Sequence, residues 1–584
     1  MLHGTKFTFD CVVKRSILQR LGCYFFHAFS CFQDMASVLS LMSMTIPPQQ
    51  SYSIEGSNVN VHALLLLLTT LFRREQVMNY DQYSLVTEIC IKQCLAAPRR
   101  AQYGGGIVVY PEFNQGAKAW TFSGEGAIRE GVSADGNRFI VVQNRTDPLY
   151  SFSQAVQLEN GNFYTFSAWI QTSEGSETVA VVFKTSDGKL IRGGETIAKQ
   201  GCWSLLKGGI VAKFSSPVEI LLEEKYITVL SKNTGVEIWV DSISLQPFTA
   251  KDWRSHQEKS IDKIRRRKVT FQVTYANKTA ADGAVISIKQ TASSFPFGCG
   301  MNHNILTSTG YQDWFASRFK VTSFTNEMKW YSTDKRQGEE NYTIADAMPK
   351  WVKDLPPEEL QKAATHRLNS VVSRYAGQLI GWDVMNENLH FSFFEDKLGE
   401  NASSAFYSMA YHLDPKTTLF MNEYNTIEYS NDQASTASKY KKQLEEILSF
   451  PGNAGLKAAK GLEGHFSAGQ PNLAYMRSSL DILGTMGLPI WLTEVDVGKG
   501  PYQLLHSLNE LRQTQAQTCT TYSAQYLEDI LREAFSHPAV EGIIIFGGPE
   551  FPDFMYDPGR YRFRIYSHWR GNKRNRTWYR VPSN

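Results

Sequence analysis

The strongest constraint on the fold of this chain is an alternation of strand-like and helix-like segments over residues 291–548. Seven short apolar runs begin near residues 294, 321, 379, 418, 462, 489 and 541, and helical apolar patterns cover residues 357–375, 431–449, 474–486 and 521–536. From the fourth run onward the spacing is roughly 30–50 residues, which leaves room for one βα unit at each step. Repeated βα units with polar residues at the strand ends predict a (β/α)8 TIM barrel.

Two of the apolar runs end in a glutamate. Residues 379–387 lead into Asn386 and Glu387, and residues 489–494 lead into Thr493 and Glu494. Because barrel strands place their carboxyl ends at one mouth, both glutamates are expected to face the same opening. A retaining glycosidase requires two carboxyl groups about 5–5.5 Å apart. The pattern therefore predicts a catalytic pair, in which the acid is the carboxyl that its neighbours keep protonated near neutral pH. The alternative is two unrelated solvated glutamates.

The residues around both glutamates resemble glycoside hydrolase family 10, the endo-β-1,4-xylanases, and plant members in particular. The matching segments are WDVMNEN around Glu387, WLTEVD around Glu494, TNEMK at residues 325–329 and GHF at residues 464–466. The resemblance implies that Glu387 is the acid/base and Glu494 the nucleophile in a retaining endo-hydrolysis of β-1,4-xylosidic bonds in cell-wall xylan. It implies no metal and no cofactor.

The same resemblance implies further substrate-binding residues. Asn326 and Lys329 would hold hydroxyls of the sugar next to the cleaved bond, and Asn386 would hydrogen-bond its 2-hydroxyl in the transition state. His465 would orient the nucleophile, and Glu463 stands where many bacterial members have Gln. The alternatives are surface polar residues and, for His465, a core histidine.

Residues 103–250 have a different texture, with short runs rich in Val, Ile, Phe and Tyr separated by Gly, Asn and Ser. The runs cover residues 138–143, 162–171, 178–184, 218–222 and 236–245, and they predict an all-β, jelly-roll-like sandwich. The segment resembles a carbohydrate-binding module of family 22, as found in plant xylanases. That resemblance makes Arg129, Trp203 and Glu237 candidate xylan contacts. Three further tryptophans are expected in the core: Trp120, Trp169 and Trp239.

The barrel pattern breaks in two places. The stretch between Lys329 and Trp382 is too short for the two crossovers and the third strand that the family places there, because one βαβ unit takes ~30 residues or more. After residue 548 the chain lacks a helical apolar period. We therefore expect a barrel that is incomplete at its third strand and C-terminal helix, through skipped exons or in a genuine degenerate paralogue. The second case makes a catalytically impaired xylan-binding wall protein the alternative function.

These observations divide the chain into a leader of residues 1–102 without an assigned fold, the sandwich at 103–250, a charged linker with a strand pair at 251–290, the barrel at 291–548 and a basic tail at 549–584. The formal net charge is +3. A near-neutral balance argues against a general nucleic-acid or anionic-membrane role, and no apolar run reaches the ~18–20 residues of a membrane span. The expected partner is xylan or another β-1,4-linked cell-wall polysaccharide, bound by a monomer.

The leader and the cysteines bear on location. Residues 63–72 resemble the apolar region of a signal peptide, but they lie far from Met1, which leaves open a true start at an internal Met. Together with five glycosylation sequons, at Asn144, Asn277, Asn341, Asn401 and Asn575, they lead us to expect a secreted, cell-wall protein. Five of the eight Cys precede residue 95 and three are scattered, so the sequence supports no disulfide framework or zinc site. It leaves any pairing open.

Overall fold

The computed structural model describes residues 7–12, 53–54 and 94–546, apart from 148–149, 186–188, 214–215, 226–234, 267–271, 276, 278, 282–284, 291–293, 326, 331–353, 468 and 499–510. Most of the leader, the basic tail, Asn326 and the stretch where a third barrel strand would fall therefore lie outside the described residues. The incomplete third strand and the absent last helix accordingly stay predictions. No helix in the described part is both long and apolar enough to cross a membrane.

The N-terminal half of the described chain is built mainly from strands. In chain order these are β1 (Phe7–Val12), β2 (Ser53–Ile54), β3 (Thr121–Ser123), β4 (Ala127–Val132), β5 (Arg138–Gln143), β6 (Ser151–Leu158), β7 (Phe163–Thr172), β8 (Ser176–Thr185), β9 (Leu190–Lys199), β10 (Ser204–Val211), β11 (Ser216–Lys225), β12 (Ile238–Phe248) and β13 (Val285–Gln290). Strands β13-β1-β2 form a small sheet. The other ten form two antiparallel sheets, ordered β10-β7-β12-β5-β4 and β3-β6-β11-β8-β9.

The two five-stranded sheets share one apolar core. Strand β7 shows why, since successive side chains of a strand point to opposite faces. Tyr164, Phe166 and Ile170 are buried against the second sheet, whereas Trp169 is buried on the outer face of its own sheet. Strand β7 is therefore buried on both faces, and its polar residues Ser167, Gln171 and Thr172 are buried as well.

The C-terminal half alternates helices and strands. The helices of the described chain are α1 (Ala250–Ile264), α2 (Thr309–Ala316), α3 (Pro357–Tyr375), α4 (Phe393–Leu398), α5 (Ala402–Leu413), α6 (Ala437–Ser449), α7 (Leu473–Gly484) and α8 (Leu511–Ser536), with 3-10 turns at Gln102–Gly105 and His303–Leu306. The strands are β14 (Phe297–Met301), β15 (Val321–Phe324), β16 (Gly381–Asn386), β17 (Thr418–Glu423), β18 (Ala458–Leu462), β19 (His465–Phe466), β20 (Ile490–Val497) and β21 (Val540–Ile545).

Seven of these strands form one curled, parallel sheet in the order β15-β14-β21-β20-β18-β17-β16, and the short β19 pairs with β20. The predicted βα units are confirmed for these strands. The two ends of the sheet, β15 and β16, precede and follow residues 331–353 in the chain. The described sheet is thus part of a barrel. Its two edge strands are the ones that flank, in the sequence, the segment that is too short for a third strand and two crossovers.

Helix α3 begins and ends where its sequence predicts. Pro357 occupies the first helical position, where its fixed φ is already helical and no backbone donor is lost. Glu358 and Glu359 lie in the first turn, where negative charge stabilises the positive end of the helix dipole. Ala376 ends the helix, and Gly377 follows it at φ +72°.

Residues 250–265, which the charge pattern indicated as part of a linker, form α1 and pack on the barrel. Trp253 is buried, and its Nε1 donates a hydrogen bond to Glu533 Oε2 on α8 at 2.8 Å. The Arg265 guanidinium donates to three backbone carbonyls at and just beyond the C-terminus of α8. The charged side chains of this segment therefore hold two helical regions together.

The antiparallel sheets and the barrel share part of one core. Phe163 on β7 stacks on Trp253, with ring centroids 4.9 Å apart and planes 15° apart. Gly209 on β10 lies against Ala474 on α7 so closely that a Cβ at position 209 would come within 2.6 Å of it. Such contact leaves no room for water between Gly209 and Ala474.

A disulfide bond joins Cys94 to Cys202, which are 108 positions apart. Beside it, Leu95 and Trp203 exchange two backbone hydrogen bonds of 3.0 and 2.8 Å. The sequence left the pairing of the cysteines open, because sequence spacing carries no signal for two cysteines that meet only through the fold. Cys299 on β14 is buried.

Candidate active site

The carboxyl ends of β16, β17, β18 and β20 lie side by side at one edge of the barrel sheet. Backbone hydrogen bonds link them: Glu387 N donates to Asn422 O at 3.0 Å, Glu463 N to Glu423 O at 3.0 Å, and Glu494 N to Glu463 O at 2.9 Å. Because parallel strands in register place successive ends next to one another, four glutamates share this edge.

Asn422, at the end of β17, connects these strand ends through its side chain. Its Nδ2 lies 2.9 Å from Asn386 Oδ1, 3.0 Å from Glu463 Oε1 and 3.2 Å from Glu494 Oε1. Its Oδ1 accepts a hydrogen bond from Thr493 Oγ1. The side chain is fully buried, so these groups fix the amide in one orientation.

Glu387 follows the last residue of β16 in a left-handed conformation, with φ +56°. Such a backbone costs a non-glycine residue on the order of 1–3 kcal/mol and persists only where its surroundings hold it. Asn386 Nδ2 donates to Glu387 Oε1 at 2.8 Å. Burial raises the pKa of Glu387 above its ordinary value, the Lys329 ammonium opposes this, and the Glu494 charge adds to it. Glu387 is therefore a carboxyl that keeps its proton to higher pH than a solvated one.

His465 lies among three carboxylates. Its Nε2 is 3.3 Å from Glu463 Oε2 and 3.5 Å from Glu494 Oε2, and its Nδ1 is 3.1 Å from Asp496 Oδ2. Burial works to lower the pKa of His465, but hydrogen bonding to Asp496, Glu463 and Glu494 outweighs it and raises that pKa to about 12. The imidazole is thus a cation at neutral pH, placed against Glu494.

Glu463 is the most deeply buried of the three acids around His465, with 2% of its side chain exposed. Burial raises its pKa, the hydrogen bond from His465 works against this, and the charges of Glu494 and Glu387 add to the rise. A third carboxyl in so small a volume is favoured in its neutral form. Glu463 therefore does not add a full negative charge beside the pair.

One ligand atom from each of Glu463, His465 and Glu494 lies within 4.8 Å of the others. This trio is the place in the described chain where side chains could converge on a metal ion. A metal would have to displace the proton that the surrounding carboxylates hold on His465, since only a neutral imidazole is a ligand. The cluster fits a proton-bearing cation better than a metal.

The sequence-predicted site residues of the barrel are thus largely brought together. Glu387, Asn386, Glu463, His465 and Glu494 share the sheet edge. Lys329, in the turn after β15, is close enough for its charge to act on Glu387. Asn326 lies outside the described residues.

Of the three xylan contacts predicted on the antiparallel sheets, Arg129 and Glu237 share one surface and Trp203 is buried. Arg129 Nη2 lies 3.1 Å from Glu237 Oε1 on the outer face of the β4–β5–β12 sheet, with 47% and 26% of the two side chains exposed. Trp239, expected in the core, is half-buried there and donates from Nε1 to Glu237 Oε2 at 2.9 Å. Trp203, expected as a sugar contact, is instead 5% exposed and packs edge-on against Phe139, because the segment joined through the disulfide covers it. Trp120 and Trp169 are buried, as expected.

The chain is similar in sequence to known proteins. Residues 345–549 match the sequence model of Glycosyl hydrolase family 10. Endo-1,4-beta-xylanase 5-like of Arabidopsis thaliana is 46% identical over 490 residues, which cover 79% of this chain and 78% of that protein. The chain belongs to glycosyl hydrolase family 10. Endo-1,4-beta-xylanase 4 of Arabidopsis thaliana is 43% identical to this family 10 chain over 478 residues, or 77% of the chain and 79% of that protein. Native xylanase 10B from Thermotoga maritima aligns with a TM-score of 0.36 and 21% identity, over 43% of this chain and 83% of that chain.

The sequence prediction missed several residues that the structure places in or beside the candidate site. Asn422 carried a usable signal, because Asn422 and Glu423 repeat the Asn-Glu pair that singled out the end of β16. Asp496 follows Glu494 by two positions and so points to the same face of β20. His390 and Asp432 lie in loops, and no spacing or periodicity in the sequence relates them to each other.

Proposed function

We propose that this chain is an endo-1,4-β-xylanase that hydrolyses β-1,4-xylosidic bonds of cell-wall xylan with retention of configuration. The observation that supports this most strongly is the connection of Glu387 to Glu494 across the sheet edge, through the amides of Asn386 and Asn422. Two carboxyl groups held at one mouth are what the double displacement requires. The two Arabidopsis thaliana relatives are both named as endo-1,4-beta-xylanases.

In the first step, the Glu494 carboxylate attacks the anomeric carbon while the Glu387 carboxyl gives its proton to the leaving oxygen. The glycosidic bond breaks and a xylosyl ester on Glu494 forms. In the second step, the Glu387 carboxylate takes a proton from water, whose oxygen attacks the same carbon and releases Glu494. The raised pKa of Glu387, caused first by burial, suits the proton donor. The His465 cation, 3.5 Å from Glu494 Oε2, balances the charge of the nucleophile.

The sugar next to the cleaved bond would be held by polar groups from two strand ends. Asn386 would turn its amide from Glu387 to the 2-hydroxyl, an interaction that strengthens as the oxocarbenium-like transition state forms. Lys329 and Asn326 would hold the neighbouring hydroxyls. The charge of Lys329 also acts on Glu387, so this lysine would tune the acid as well as bind the sugar.

An activity assay on xylan tests this proposal. The wild-type chain is expected to release xylo-oligosaccharides, and Glu494→Ala is expected to lower kcat by at least about 10⁴-fold, the scale seen when a covalent nucleophile is removed. Glu541→Gln, which changes an exposed carboxylate on β21, is the matched control and should retain full activity. A folded wild-type chain that binds xylan but does not hydrolyse it would sink the proposal and favour a catalytically impaired wall-binding protein.

We also propose that the antiparallel sheets form a carbohydrate-binding module of family 22 that grips xylan. The support is a surface on β4, β5 and β12 where Arg129 and Glu237 pair beside the half-buried ring of Trp239. Aromatic faces with polar neighbours suit a sugar chain. In a pull-down on insoluble xylan, Glu237→Ala should weaken retention, whereas Glu130→Ala, an exposed acid on the neighbouring strand β4, should not. Equal retention of both variants would refute this role.

A secreted, extracellular location completes the proposal. Its structural support is the Cys94–Cys202 bond, because disulfides persist in oxidising compartments and are rare in the cytosol. Detection of the chain in the apoplastic fluid of a plant that expresses it, with these two cysteines resistant to alkylation before reduction, is the expected result. Recovery only from the cytosol with both thiols free would refute the location.

A further inference from the structure

A second buried cluster lies beside the carboxyl pair and is not used by the double displacement. It contains His390 in the turn after β16, Glu423 and Tyr424 at the end of β17, and Asp432 in the loop before α6. The exposed fractions of the His390, Glu423 and Asp432 side chains are 12%, 0% and 18%.

Both ring nitrogens of His390 face carboxylate oxygens. Nδ1 is 2.7 Å from Glu423 Oε1, and Nε2 is 2.9 Å from Asp432 Oδ2. Burial raises the pKa of Glu423 to about 7, and the hydrogen bonds from the Leu389 amide and His390 oppose that rise. When both carboxyls are ionised they only accept hydrogen bonds, so both ring nitrogens then donate. The ring also stacks on Tyr424, with centroids 3.9 Å apart and planes 11° apart. The two contacts and the stacking therefore fix the orientation of the imidazole ring.

The same turn holds the backbone of Glu387. The amides of His390 and Phe391 both donate to Glu387 O at 3.1 Å, and the amide of Leu389 donates to Glu423 Oε2 at 2.9 Å. Glu387 itself adopts φ +56°, a conformation that must be held from outside. The cluster fixes the turn at two adjacent residues, since Glu423 accepts from the amide of Leu389 and also lies against the ring of His390.

We propose that His390 is a positioning residue for Glu387: clamped between Glu423 and Asp432, it locks the turn 387–391 and aims the Glu387 carboxyl at the leaving oxygen. This inference rests on the proposed function. It concerns the proton-transfer side of that site, since the hydrogen bonds of His390 among the described residues end on Glu423, Asp432 and Glu387, and none ends on Glu494 or His465.

A positioning role on the acid side predicts a dependence on the leaving group that a general structural role does not. Departure of 2,4-dinitrophenolate needs no proton, whereas departure of a sugar hydroxyl does, and general-acid catalysis contributes about 10²–10⁴-fold. His390→Ala should therefore lower kcat/KM on xylan by about 10–100-fold. On 2,4-dinitrophenyl β-xylobioside it should change the rate of the first step by less than about 3-fold.

The experiment compares wild type, His390→Ala, Asp432→Asn and His412→Ala on both substrates, with the thermal midpoint of each variant measured beside the rates. Asp432→Asn removes one arm of the clamp while keeping its shape, so it should show the same selective loss at smaller size if His390→Ala fails to fold. His412 is an exposed histidine whose Nδ1 donates to Ser408 O, and its replacement should change neither rate.

The outcomes distinguish the positioning role of His390 from the proposed xylanase function. Selective loss on xylan supports the positioning role. Equal loss on both substrates, or no loss on xylan, overturns it while leaving the proposed function intact. A wild-type chain inactive on both substrates overturns the proposed function itself and the inference that rests on it.

Discussion

Replacement of Asn422 by Ala is the substitution for which the structure supplies the clearest magnitude. Its amide nitrogen lies within 3.2 Å of three oxygens, on Asn386, Glu463 and Glu494, but it carries only two hydrogens. Besides the bond that its Oδ1 accepts from Thr493, the substitution therefore removes about one hydrogen bond from the amide nitrogen to an ionised carboxylate and one to a neutral partner, and these two bear on the orientation of the site. Such bonds contribute about 1.5–3 and 0.5–1.5 kcal/mol respectively, or about 2–4.5 kcal/mol together.

At about 1.4 kcal/mol for each tenfold change in rate, this range corresponds to roughly 30- to 1,500-fold. We expect Asn422→Ala to lower kcat/KM on xylan by about 10²-fold, because Glu494 and Asn386 lose the group that fixes their orientation. The assay is steady-state hydrolysis of soluble xylan, with folding checked by circular dichroism.

The chain offers a matched control. Asn453 is 2% exposed, and its Nδ2 donates to Ser404 O at 3.2 Å and Ile447 O at 2.7 Å, away from the strand ends that carry the glutamates. Asn453→Ala should cost a comparable number of buried hydrogen bonds and lower the thermal midpoint while leaving kcat/KM of the folded protein unchanged. The reasoning fails if folded Asn422→Ala keeps activity within 3-fold of wild type, or if Asn453→Ala loses activity to the same extent.

Two further predictions concern stability. Asp481→Asn should lower the free energy of unfolding by about 3–5 kcal/mol at neutral pH, because it breaks a mostly buried ion pair with Lys207. Burial works to raise the pKa of Asp481, but Lys207 and His537 outweigh it and lower that pKa. The carboxylate thus stabilises the fold above its unfolded pKa of about 4, and the difference between wild type and variant should shrink below pH 4; a difference independent of pH contradicts this. Cys202→Ser should lower stability by about 2–5 kcal/mol, since the bond closes a loop of 108 positions; an unchanged thermal midpoint under non-reducing conditions contradicts this.

The barrel strands could be read from the sequence because their signals are local. The apolar run before Asn386 and Glu387 corresponds to β16, and the run before Glu494 to β20, since a strand end is marked by the change from apolar to polar residues. Helix α3 spans the residues that its periodicity indicated, because Pro357 at its start is a positional signal. Glu387 and Glu494 could be predicted as site residues because each stands at such a change from apolar to polar residues.

Trp203 and α1 show where local patterns mislead. A tryptophan in a strand-rich segment is equally compatible with a sugar platform and with a covered face, and residues 94–95 decide between them by packing over it. Residues 251–264 are highly charged and so resembled a solvated connection. Their charges instead meet partners on α8, such as Arg254 with Glu528 at 2.8 Å, and no pattern within one segment reveals a partner in another.

The sequence by itself determined the parallel βα architecture, the two glutamates at strand ends and the strand-rich character of residues 103–250, because each depends on the order of apolar and polar residues along a few neighbouring positions. Only the tertiary structure decided that Asn422 connects the strand ends, that His390 is clamped between Glu423 and Asp432, and that Cys94 meets Cys202. These depend on distances between side chains far apart in the chain, and such distances are set by how strands and helices pack rather than by the residues beside them.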